Sequence, residues 1–335
     1  MQSVKKSISN KKIIVIGSFY FGPSDVVEEI IRGFYYNRDI YTVHFDPLLY
    51  SDPEISPVRR KDQTYVVNLK TLWRIIKANK KIDAIFMIAG GIRLGFFSKI
   101  LMRLMFIKKV SIQLSDPDDF TRVGKKCTSN ANFVFTNSPS CVVRYKRKYN
   151  RVGKLNWGTV SGMNKQVEDI SKKFDFVIVG GFREDRIDFI NNCIKAKYNI
   201  LICGDGWKEN SGKLMSNFSN NCLFVGHKVG FEKFKLIKSA KYYISFSETM
   251  AGYHNLKYGA FEALSVDTQV ISDFVPEPDK FFKGIENLIF INSKKEGFFE
   301  FAARISEKQL SKSSSVERVD LEWKYQINQI LTEIF

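Results

Sequence analysis

Short apolar runs alternate with helix-length amphipathic segments along the whole of this chain, and that alternation limits the fold more than any other feature. The runs suit β-strands of about four to eight residues, and the segments between them suit amphipathic helices. Parallel strands need such crossover helices, because each strand must begin again at the same edge of the sheet. The sequence therefore predicts an α/β protein built on parallel sheets.

The candidate strands fall into two series. The first lies at 13–17, 40–45, 84–89, 110–114 and 132–137, and the second at 174–181, 199–206, 222–227, 242–247, 269–273 and 288–291. Helical segments at 24–34 and 69–80 separate strands of the first series. Between the two series, 151–165 is rich in Gly, Ser and Asn and has no amphipathic face, which is typical of a linker.

A chain of 335 residues is longer than one hydrophobic core usually supports, about 250–300 residues. We predict two Rossmann-like, doubly wound domains facing a cleft, the N-terminal one at 1–155 and the C-terminal one at 156–312. An amphipathic helix at 313–335 follows, and we expect it to dock back on the N-terminal domain. Its apolar face consists of Val319, Trp323, Ile327, Ile330, Leu331 and Ile334.

The charge balance points to anionic partners. The formal net charge is +17, from 52 Lys and Arg against 35 Asp and Glu. Such a surplus attracts nucleic acid, an anionic membrane surface or phosphorylated substrates. Because the basic residues are scattered and no zinc-finger, RNP or basic-zipper pattern is present, nucleic acid is the least favoured of the three. The five cysteines are an odd number with no C-x-x-C pair, which indicates reduced thiols in the cytoplasm.

Two segments bear on membranes. The N-terminal lysines and the apolar run after them resemble a signal peptide, but the run is short and lacks a cleavage site, so a first core strand is favoured. The segment 96–109 interleaves apolar residues with Lys99, Arg103, Lys108 and Lys109. It suits either an anionic membrane surface or a buried helix whose lysines snorkel. No apolar stretch approaches the roughly 18 residues of a membrane span. We expect a cytoplasmic protein, peripheral at the inner face of the membrane if 96–109 binds it.

The segment 222–273 carries a pattern suited to nucleotide sugars. A polar, Gly-containing loop delivers His254, Asn255 and Lys257 just ahead of a helix with Glu262. A helix start offers unpaired N–H groups and a positive dipole end to a phosphate. A carboxylate two turns further along then reaches the hydroxyls of the nucleotide's sugar.

Four motifs in order give the second half its resemblance: VGGFREDR, ICGDGWKEN, LFVGHKVGFEKF and SFSETMAGYHNLKYGAFEALSVDTQVISD. Over 174–295 the chain resembles the donor-binding domain of GT-B glycosyltransferases, also described as glycosyltransferase group 1. The segment 110–150, with SDPDDF and FVFTNSPSCVVRYKRKY, is similar to the CgeB-like bacterial branch of that fold. The resemblance implies a nucleotide-sugar donor as substrate and no separate cofactor. It places the donor on Arg183, Arg186, Gly204, Asp205, His227, Lys228, Asn255, Lys257 and Glu262.

Within that set, the resemblance implies that Glu262 holds the ribose, since an ionised carboxylate accepts two hydrogen bonds from a vicinal diol. The alternative is a solvated helix residue. Arg183, Arg186 and Lys257 would stabilise the charge that develops on the leaving diphosphate. For the two arginines the alternative is a surface ion pair with Glu184 or Asp185. No Asp-x-Asp motif follows a strand, so we expect no metal.

Candidate catalytic residues are His254 and Asp116. Retaining relatives carry a Glu where His254 stands, so the stereochemical outcome is open, and His254 is otherwise a structural or exposed loop residue. Asp116 is a candidate general base on the acceptor side, or part of a simple turn. The first βα loop supplies Gly17, Ser18, Phe19 and Gly22 to the acceptor side; it is not a G-x-G-x-x-G, so no dinucleotide is implied.

These patterns predict a metal-independent glycosyltransferase. Its acceptor would be a glycan, a lipid-linked molecule or a protein, in bacterial cell-surface polysaccharide biosynthesis. Two alternatives stay open: a sugar-nucleotide epimerase or phosphorylase on the same fold, and a non-catalytic basic protein that binds membrane or nucleic acid.

Overall fold

A computed structural model describes part of the chain in detail. The described residues are 10–17, 26–37, 40–45, 58–59, 65–79, 81–88, 92–114, 120–129, 131–167, 170–214, 221–248, 252, 254–273, 285–291 and 319–335. The chain divides into two compact units. Unit 1 comprises Met1–Gly158 and Val319–Phe335, and unit 2 comprises Thr159–Arg318.

The strands of unit 1 are β1 (Lys11–Ile16), β2 (Ile40–Phe45), β3 (Val58–Arg59), β4 (Tyr65–Val67), β5 (Ala84–Ile88), β6 (Ile92–Leu94), β7 (Lys108–Gln113), β8 (Phe133–Thr136) and β9 (Val152–Lys154). Those of unit 2 are β10 (Phe174–Val179), β11 (Ile200–Cys203), β12 (Cys222–Val225), β13 (Ala240–Ser245), β14 (Gln269–Ser272) and β15 (Leu288–Phe290).

The described α-helices are α1 (Val26–Tyr35), α2 (Leu69–Ala78), α3 (Phe96–Leu104), α4 (Lys125–Cys127), α5 (Pro139–Lys146), α6 (Met163–Gln166), α7 (Ile187–Lys195), α8 (Gly230–Lys238), α9 (Tyr258–Leu264) and α10 (Trp323–Ile334). Local sequence explains where several of them start. Helix α2, for example, begins after Asn68, whose side chain accepts a hydrogen bond of 2.8 Å from the backbone N–H of Thr71.

The main sheet of unit 1 has the order β2-β1-β5-β7-β8-β9, and every pair in it is parallel. Its central strand β5 is apolar throughout, because helices cover both faces of such a sheet. A small second sheet, β3-β4-β6, lies in the same unit. Since all main strands run the same way, their carboxyl ends form one edge and their amino ends the other.

Unit 2 contains a sheet of order β12-β11-β10-β13-β14-β15, again parallel throughout. Read in the order in which its strands occur along the chain, this is the 3-2-1-4-5-6 arrangement of a Rossmann fold. The chain reverses its direction of sheet growth between β10 and β13. Such a reversal creates a crevice at the carboxyl ends of the strands, where ligands bind in this class of fold.

Helix α10 packs on α1 of unit 1. A methyl group on Gly33 would lie 2.7 Å from Ile327 Cγ1, so the two helices approach closely at that glycine. Trp323 is buried, its ring meets that of Trp157 edge to face at 6.3 Å, and its indole lies against Gly158. The terminal helix is therefore part of the core of unit 1.

The predicted α/β class with two Rossmann-like domains is confirmed, and every predicted strand is present with small shifts at its ends. Two features differ from the sequence prediction. The segment assigned to the linker contains β9 and α6, and the small sheet β3-β4-β6 was not predicted. The division between the units falls after Gly158.

Candidate donor-binding site

The candidate donor residues of unit 2 follow the carboxyl ends of its strands. Arg183 and Arg186 come after β10, Asp205 after β11 and His227 after β12. The loop that holds His254 runs from β13 to α9. Because the strands are parallel, all of these loops emerge at one edge of the sheet.

Two glycine turns interlock at this edge. Gly180 has φ +132° and Gly204 has φ +152°, values that residues with a Cβ rarely adopt. A methyl group on Gly204 would lie 2.2 Å from the carbonyl oxygen of Gly180. That same oxygen accepts a 2.8 Å hydrogen bond from the indole N–H of buried Trp207. The Gly-Gly and Gly-Asp-Gly motifs are thus the two halves of one rigid turn.

Arg183 forms the ion pair that the sequence left open as an alternative. Its Nε and Nη2 donate to the two carboxylate oxygens of Asp185 at 3.0 and 2.6 Å. Its Nη1 also donates to the carbonyl oxygen of Glu248 at 3.2 Å. Arg183 therefore lies beside the β13–α9 loop while its charge is shared with a carboxylate.

Arg186 has different surroundings. Its guanidinium lies over the ring of Phe246 at 5.1 Å, and Nη1 donates to the carbonyl oxygen of Gly181 at 3.1 Å. Its Nε–H is buried and has no hydrogen-bond acceptor among the described residues. Burial, with a smaller contribution from Arg183, lowers the pKa of Arg186. A partly buried cation with an unused donor is suited to binding an anion.

Asp205, His227 and Lys228 lie on the outside of this edge. His227 Nδ1 is 3.9 Å from Asp205 Oδ2, and the two side chains are 62% and 80% exposed. Lys228 is exposed, and its backbone N–H contacts the Cys203 thiol. These three side chains are accessible to a ligand, but the protein does not fix their positions.

Glu262 is buried, which excludes the alternative of a solvated helix residue. It lies on the inner face of α9, and its carboxylate pairs with the ammonium group of Lys233 on α8. The side chains of Lys233 and Glu262 are only 15% and 5% exposed. Two desolvated charges of opposite sign fix each other's position strongly.

Tyr243 is influenced electrostatically by both Glu262 and Arg186. Its hydroxyl is buried beside α9, where a methyl group on Gly259 would lie 2.0 Å from the oxygen. Burial and the nearby Glu262 carboxylate raise the pKa of Tyr243, and Arg186 opposes that rise. The carboxylate assigned to the ribose and the guanidinium assigned to a phosphate therefore both act electrostatically on one tyrosine.

The loop between β13 and α9 is held at its base. Glu248 and His254 form an isolated antiparallel bridge, and the N–H of Asn255 donates to the carbonyl oxygen of Ser247 at 3.0 Å. His254 Nδ1 lies 3.0 Å from the hydroxyl of fully buried Ser247. The backbone N–H of Ser247 donates to Asp273. His254 is thus oriented by a serine that is itself anchored to a carboxylate.

Asp273 is partly desolvated in this network. Burial raises its pKa, and the hydrogen bonds from Ser247 together with the His254 charge oppose the rise. Beside it, Ser245 and Ser272 are register partners on β13 and β14, and their buried hydroxyls have no hydrogen-bond partner among the described residues. The edge therefore carries a cluster of polar groups in an otherwise apolar sheet.

Lys257 is the residue before α9, and its backbone there is extended. Helix α9 has seven residues, and its N-terminal turn carries no side-chain cap among the described contacts. A helix of this length has a weak dipole, so the expected phosphate site at the helix start depends on Lys257 and the arginines.

On the acceptor side, the structure describes one of the predicted residues. Gly17 is buried at the end of β1, where a methyl group would lie 3.2 Å from Val27 Cγ1. Ser18, Phe19, Gly22 and Asp116 lie outside the described residues. Their roles stay predictions.

The sequence prediction missed Lys233, Tyr243, Ser247 and Asp273. A signal was present for the last two, since each is a polar residue at the carboxyl end of a predicted buried strand. Lys233 had no comparable signal, because one lysine among many on a helix does not reveal that it faces inward.

Solved structures share this architecture. AviGT4, a glycosyltransferase involved in avilamycin A biosynthesis, matches with a TM-score of 0.61 and 10% identity over 97% of each chain. An α-glucosyltransferase solved with UDP-glucose and DNA containing an abasic site gives a TM-score of 0.58 and 12% identity, over 96% of this chain and 94% of that one. UDP-GlcNAc 2-epimerase from Methanocaldococcus jannaschii gives a TM-score of 0.53 and 14% identity, over 96% of this chain and 99% of that one.

At these identities the likeness shows the fold, and the fold is GT-B, as the sequence resemblance implied. No protein-family model matches the sequence, and no curated protein sequence matches it. The narrower similarity to the CgeB-like branch stays a prediction. None of the described helices has the length and apolar character needed to span a membrane.

Proposed function

We propose that this protein is a glycosyltransferase that moves a sugar from a nucleoside-diphosphate donor to a glycan, a lipid-linked molecule or a protein, without a metal. Unit 2 binds the donor. The observation that carries the proposal is the pairing of Arg186 and Glu262 in one unit: a partly buried cation with a buried, unused N–H, and a buried carboxylate held by Lys233, both of which act electrostatically on Tyr243.

The two charges suit the two ends of a nucleoside diphosphate. Glu262 accepts hydrogen bonds from the vicinal hydroxyls of the ribose, and Lys233 holds its carboxylate in place. Arg186 donates to the diphosphate from the rigid Gly180–Gly181 turn. Arg183 reaches the same group when its guanidinium is shared between Asp185 and the diphosphate. Lys257 adds a point charge.

Transfer separates charge, because the diphosphate becomes more negative as the bond to the sugar breaks. Cations already in position stabilise that charge without reorganising, which lowers the barrier.

His254 then faces the transferred sugar or its acceptor. Its role depends on the tautomer: with Nδ1 accepting from Ser247, Nε2 is a donor, and with Nδ1 donating, Nε2 is a base. Retention or inversion is not assigned, and Asp116 remains the candidate base on the acceptor side.

Unit 1 binds the acceptor and so determines its class. We expect a role in bacterial cell-surface polysaccharide biosynthesis, with the sugar and base of the donor still to be found. A second candidate is a sugar-nucleotide epimerase, because the epimerase from M. jannaschii has the same fold over 96% of this chain. A phosphorylase, or a non-catalytic basic protein, is the remaining alternative.

The experiment is to incubate the full chain with a panel of nucleotide sugars, with and without lipid and glycan acceptors. The products are then identified by mass spectrometry and NMR. A transferase releases nucleoside diphosphate and glycosylates an acceptor. A changed sugar still attached to its nucleotide, formed without acceptor, favours the epimerase. No binding of any nucleotide sugar contradicts both.

Arg186→Gln supplies a sharper test of the donor site. It should weaken the binding of nucleoside diphosphates about tenfold or more, because a charged hydrogen bond is lost, and leave nucleoside binding unchanged. Arg147→Gln, an exposed arginine of unit 1, is the matched control. An equal loss of affinity for the nucleoside and for the nucleoside diphosphate would place Arg186 away from the phosphates.

A further inference from the structure

Helix α3 carries large apolar side chains on its exposed side as well as on the side that packs against the core. Its only fully buried residues are Ser98 and Met102. Large apolar side chains are instead exposed on this helix and the turn after it, at Phe96 (72%), Phe97 (66%), Ile100 (40%), Leu104 (69%) and Phe106 (95%). At 3.6 residues per turn the four helical ones lie within about 100° of one another. They form one continuous apolar stripe that faces away from the core.

Phe106 extends the stripe in an unusual backbone conformation. Its φ is +51°, in the left-handed region that bulky residues seldom adopt. The conformation holds the ring almost fully outside the protein. A strained backbone that presents an aromatic ring to the surroundings is typical of a functional contact.

A basic cavity of about 470 Å³ adjoins the stripe. Four cations line it: Arg103, Lys108, Lys109 and Arg151. The described residues of its lining include no carboxylate. Lys108 already donates to the carbonyl oxygen of Ile334 at 2.8 Å, whereas Arg103 and Arg151 are exposed.

Lys109 is the most deeply buried of the four cations. It is only 7% exposed, and burial together with the charge of Arg103 lowers its pKa. Two cations held close together repel each other. An anion that enters the cavity relieves that repulsion.

The position of this face separates it from the expected acceptor side of unit 1. Lys108 begins β7, and Arg151 immediately precedes β9. These are the amino ends of parallel strands. Ligands of the reaction bind at the carboxyl ends in this class of fold, at the opposite edge of the sheet.

We propose that α3 and its following turn dock on an anionic phospholipid bilayer, with the apolar stripe among the acyl chains and a lipid phosphate in the basic cavity. The two parts match the two layers of a membrane interface. The segment 96–109 has four basic residues and no acidic one, which suits a negative surface.

Two other occupants fit less well. Nucleic acid would satisfy the cations, but Ile100 and Leu104 have no counterpart on a phosphate backbone. A second copy of this chain would cover the stripe, but a two-fold contact would bring the cations of one copy against those of the other. The bilayer alone satisfies both the apolar and the cationic groups.

The test is flotation of the full chain with vesicles of phosphatidylcholine, alone or mixed with phosphatidylglycerol. We expect binding to the mixed vesicles that weakens with salt, and little binding to phosphatidylcholine alone. Leu104→Ser with Phe106→Ser should lower the partition constant about tenfold or more. The matched control, Leu223→Ser with Phe231→Ser, changes two exposed residues of the same types in unit 2 and should stay within about twofold.

Arg103→Gln should lower the partition constant about fivefold, and Arg147→Gln should not.

No binding to anionic vesicles at low salt overturns the proposal, as does binding that the Leu104/Phe106 change leaves intact. Tighter binding to single-stranded RNA, unaffected by that change, would assign the face to nucleic acid. A dimer lost with that change would assign it to a second copy. Nucleoside diphosphate binding should be the same in all of these variants, so this test fails or succeeds independently of the proposed sugar transfer.

Discussion

The pair between Lys233 and Glu262 offers the sharpest test of how the site is held. Lys233→Met keeps most of the side-chain volume but removes the ammonium group, which leaves a carboxylate that is 5% exposed without its counter-charge. Breaking a buried pair from one side costs about 3–5 kcal/mol. Total stabilities are only about 5–15 kcal/mol, so this loss should be large.

Replacing both partners should cost much less. In Lys233→Met with Glu262→Gln, no unpaired charge remains buried, and well-packed neutral replacements of ion pairs are often close to neutral. We therefore expect the double variant to be more stable than Lys233→Met alone by about 1–3 kcal/mol. That rescue separates an electrostatic effect from a packing effect.

Because the protein has two units, the assay must follow unit 2 alone. Urea unfolding monitored by hydrogen exchange of peptides from Thr159–Arg318 does this. The exposed pair of Lys213 and Glu184 is the control, since removing Lys213 should change stability by less than about 1 kcal/mol. If Lys233→Met unfolds with wild-type stability, or if the double variant simply adds the two single losses, the pair does not organise the site.

Three further predictions follow from neighbouring contacts. Gly259→Ala should destabilise unit 2 by about 1–3 kcal/mol in thermal unfolding, because its methyl group meets the Tyr243 hydroxyl; Tyr243→Phe should relieve most of that loss, and an undiminished loss would contradict the contact. Burial raises the pKa of Asp273, so the folded chain holds that proton to higher pH than the unfolded chain, and its contribution to stability falls as pH rises through the raised value. Asp273→Asn should therefore gain stability relative to wild type as pH rises above the ordinary aspartate value of about 4, and a relative loss would refute the assignment. Finally, burial raises the pKa of Cys222 to about 11 and that of Cys193 further, so neither should react with a thiol reagent at about pH 8 as fast as an exposed cysteine; a reaction at the rate of a free thiol would show that the site opens.

The main sheets were predictable because each buried parallel strand is a continuous apolar run between helices. Strand β9 gave no such signal, since it is the half-exposed three-residue segment VGK. It pairs there because Gly153 leaves room for the ring of Phe135, which would lie 2.5 Å from a methyl group. A packing partner 18 positions away cannot be recognised from a local pattern.

The candidate site was predictable to a similar extent. Arg183, Arg186 and Glu262 came from motif order, but their surroundings depend on tertiary contacts. The sequence did not show that Asp185 engages Arg183 while the guanidinium of Arg186 lies over the ring of Phe246. For 96–109 the pattern suited both a buried and a surface helix, and only the structure shows which side of α3 faces out.

The central claim is that Glu262 binds the ribose of a nucleoside diphosphate, and ligand chemistry tests it directly. Calorimetry with the ribonucleoside diphosphates would identify the base that binds, and the 2′-deoxy analogue of that ligand would then be compared with it. A hydrogen bond to a charged carboxylate is worth about 1.5–3 kcal/mol, so the deoxy compound should bind about ten- to a hundredfold more weakly. That difference should shrink severalfold in Glu262→Gln. Equal affinity of the two ligands for the wild-type protein, or the same difference in the variant, would contradict the account.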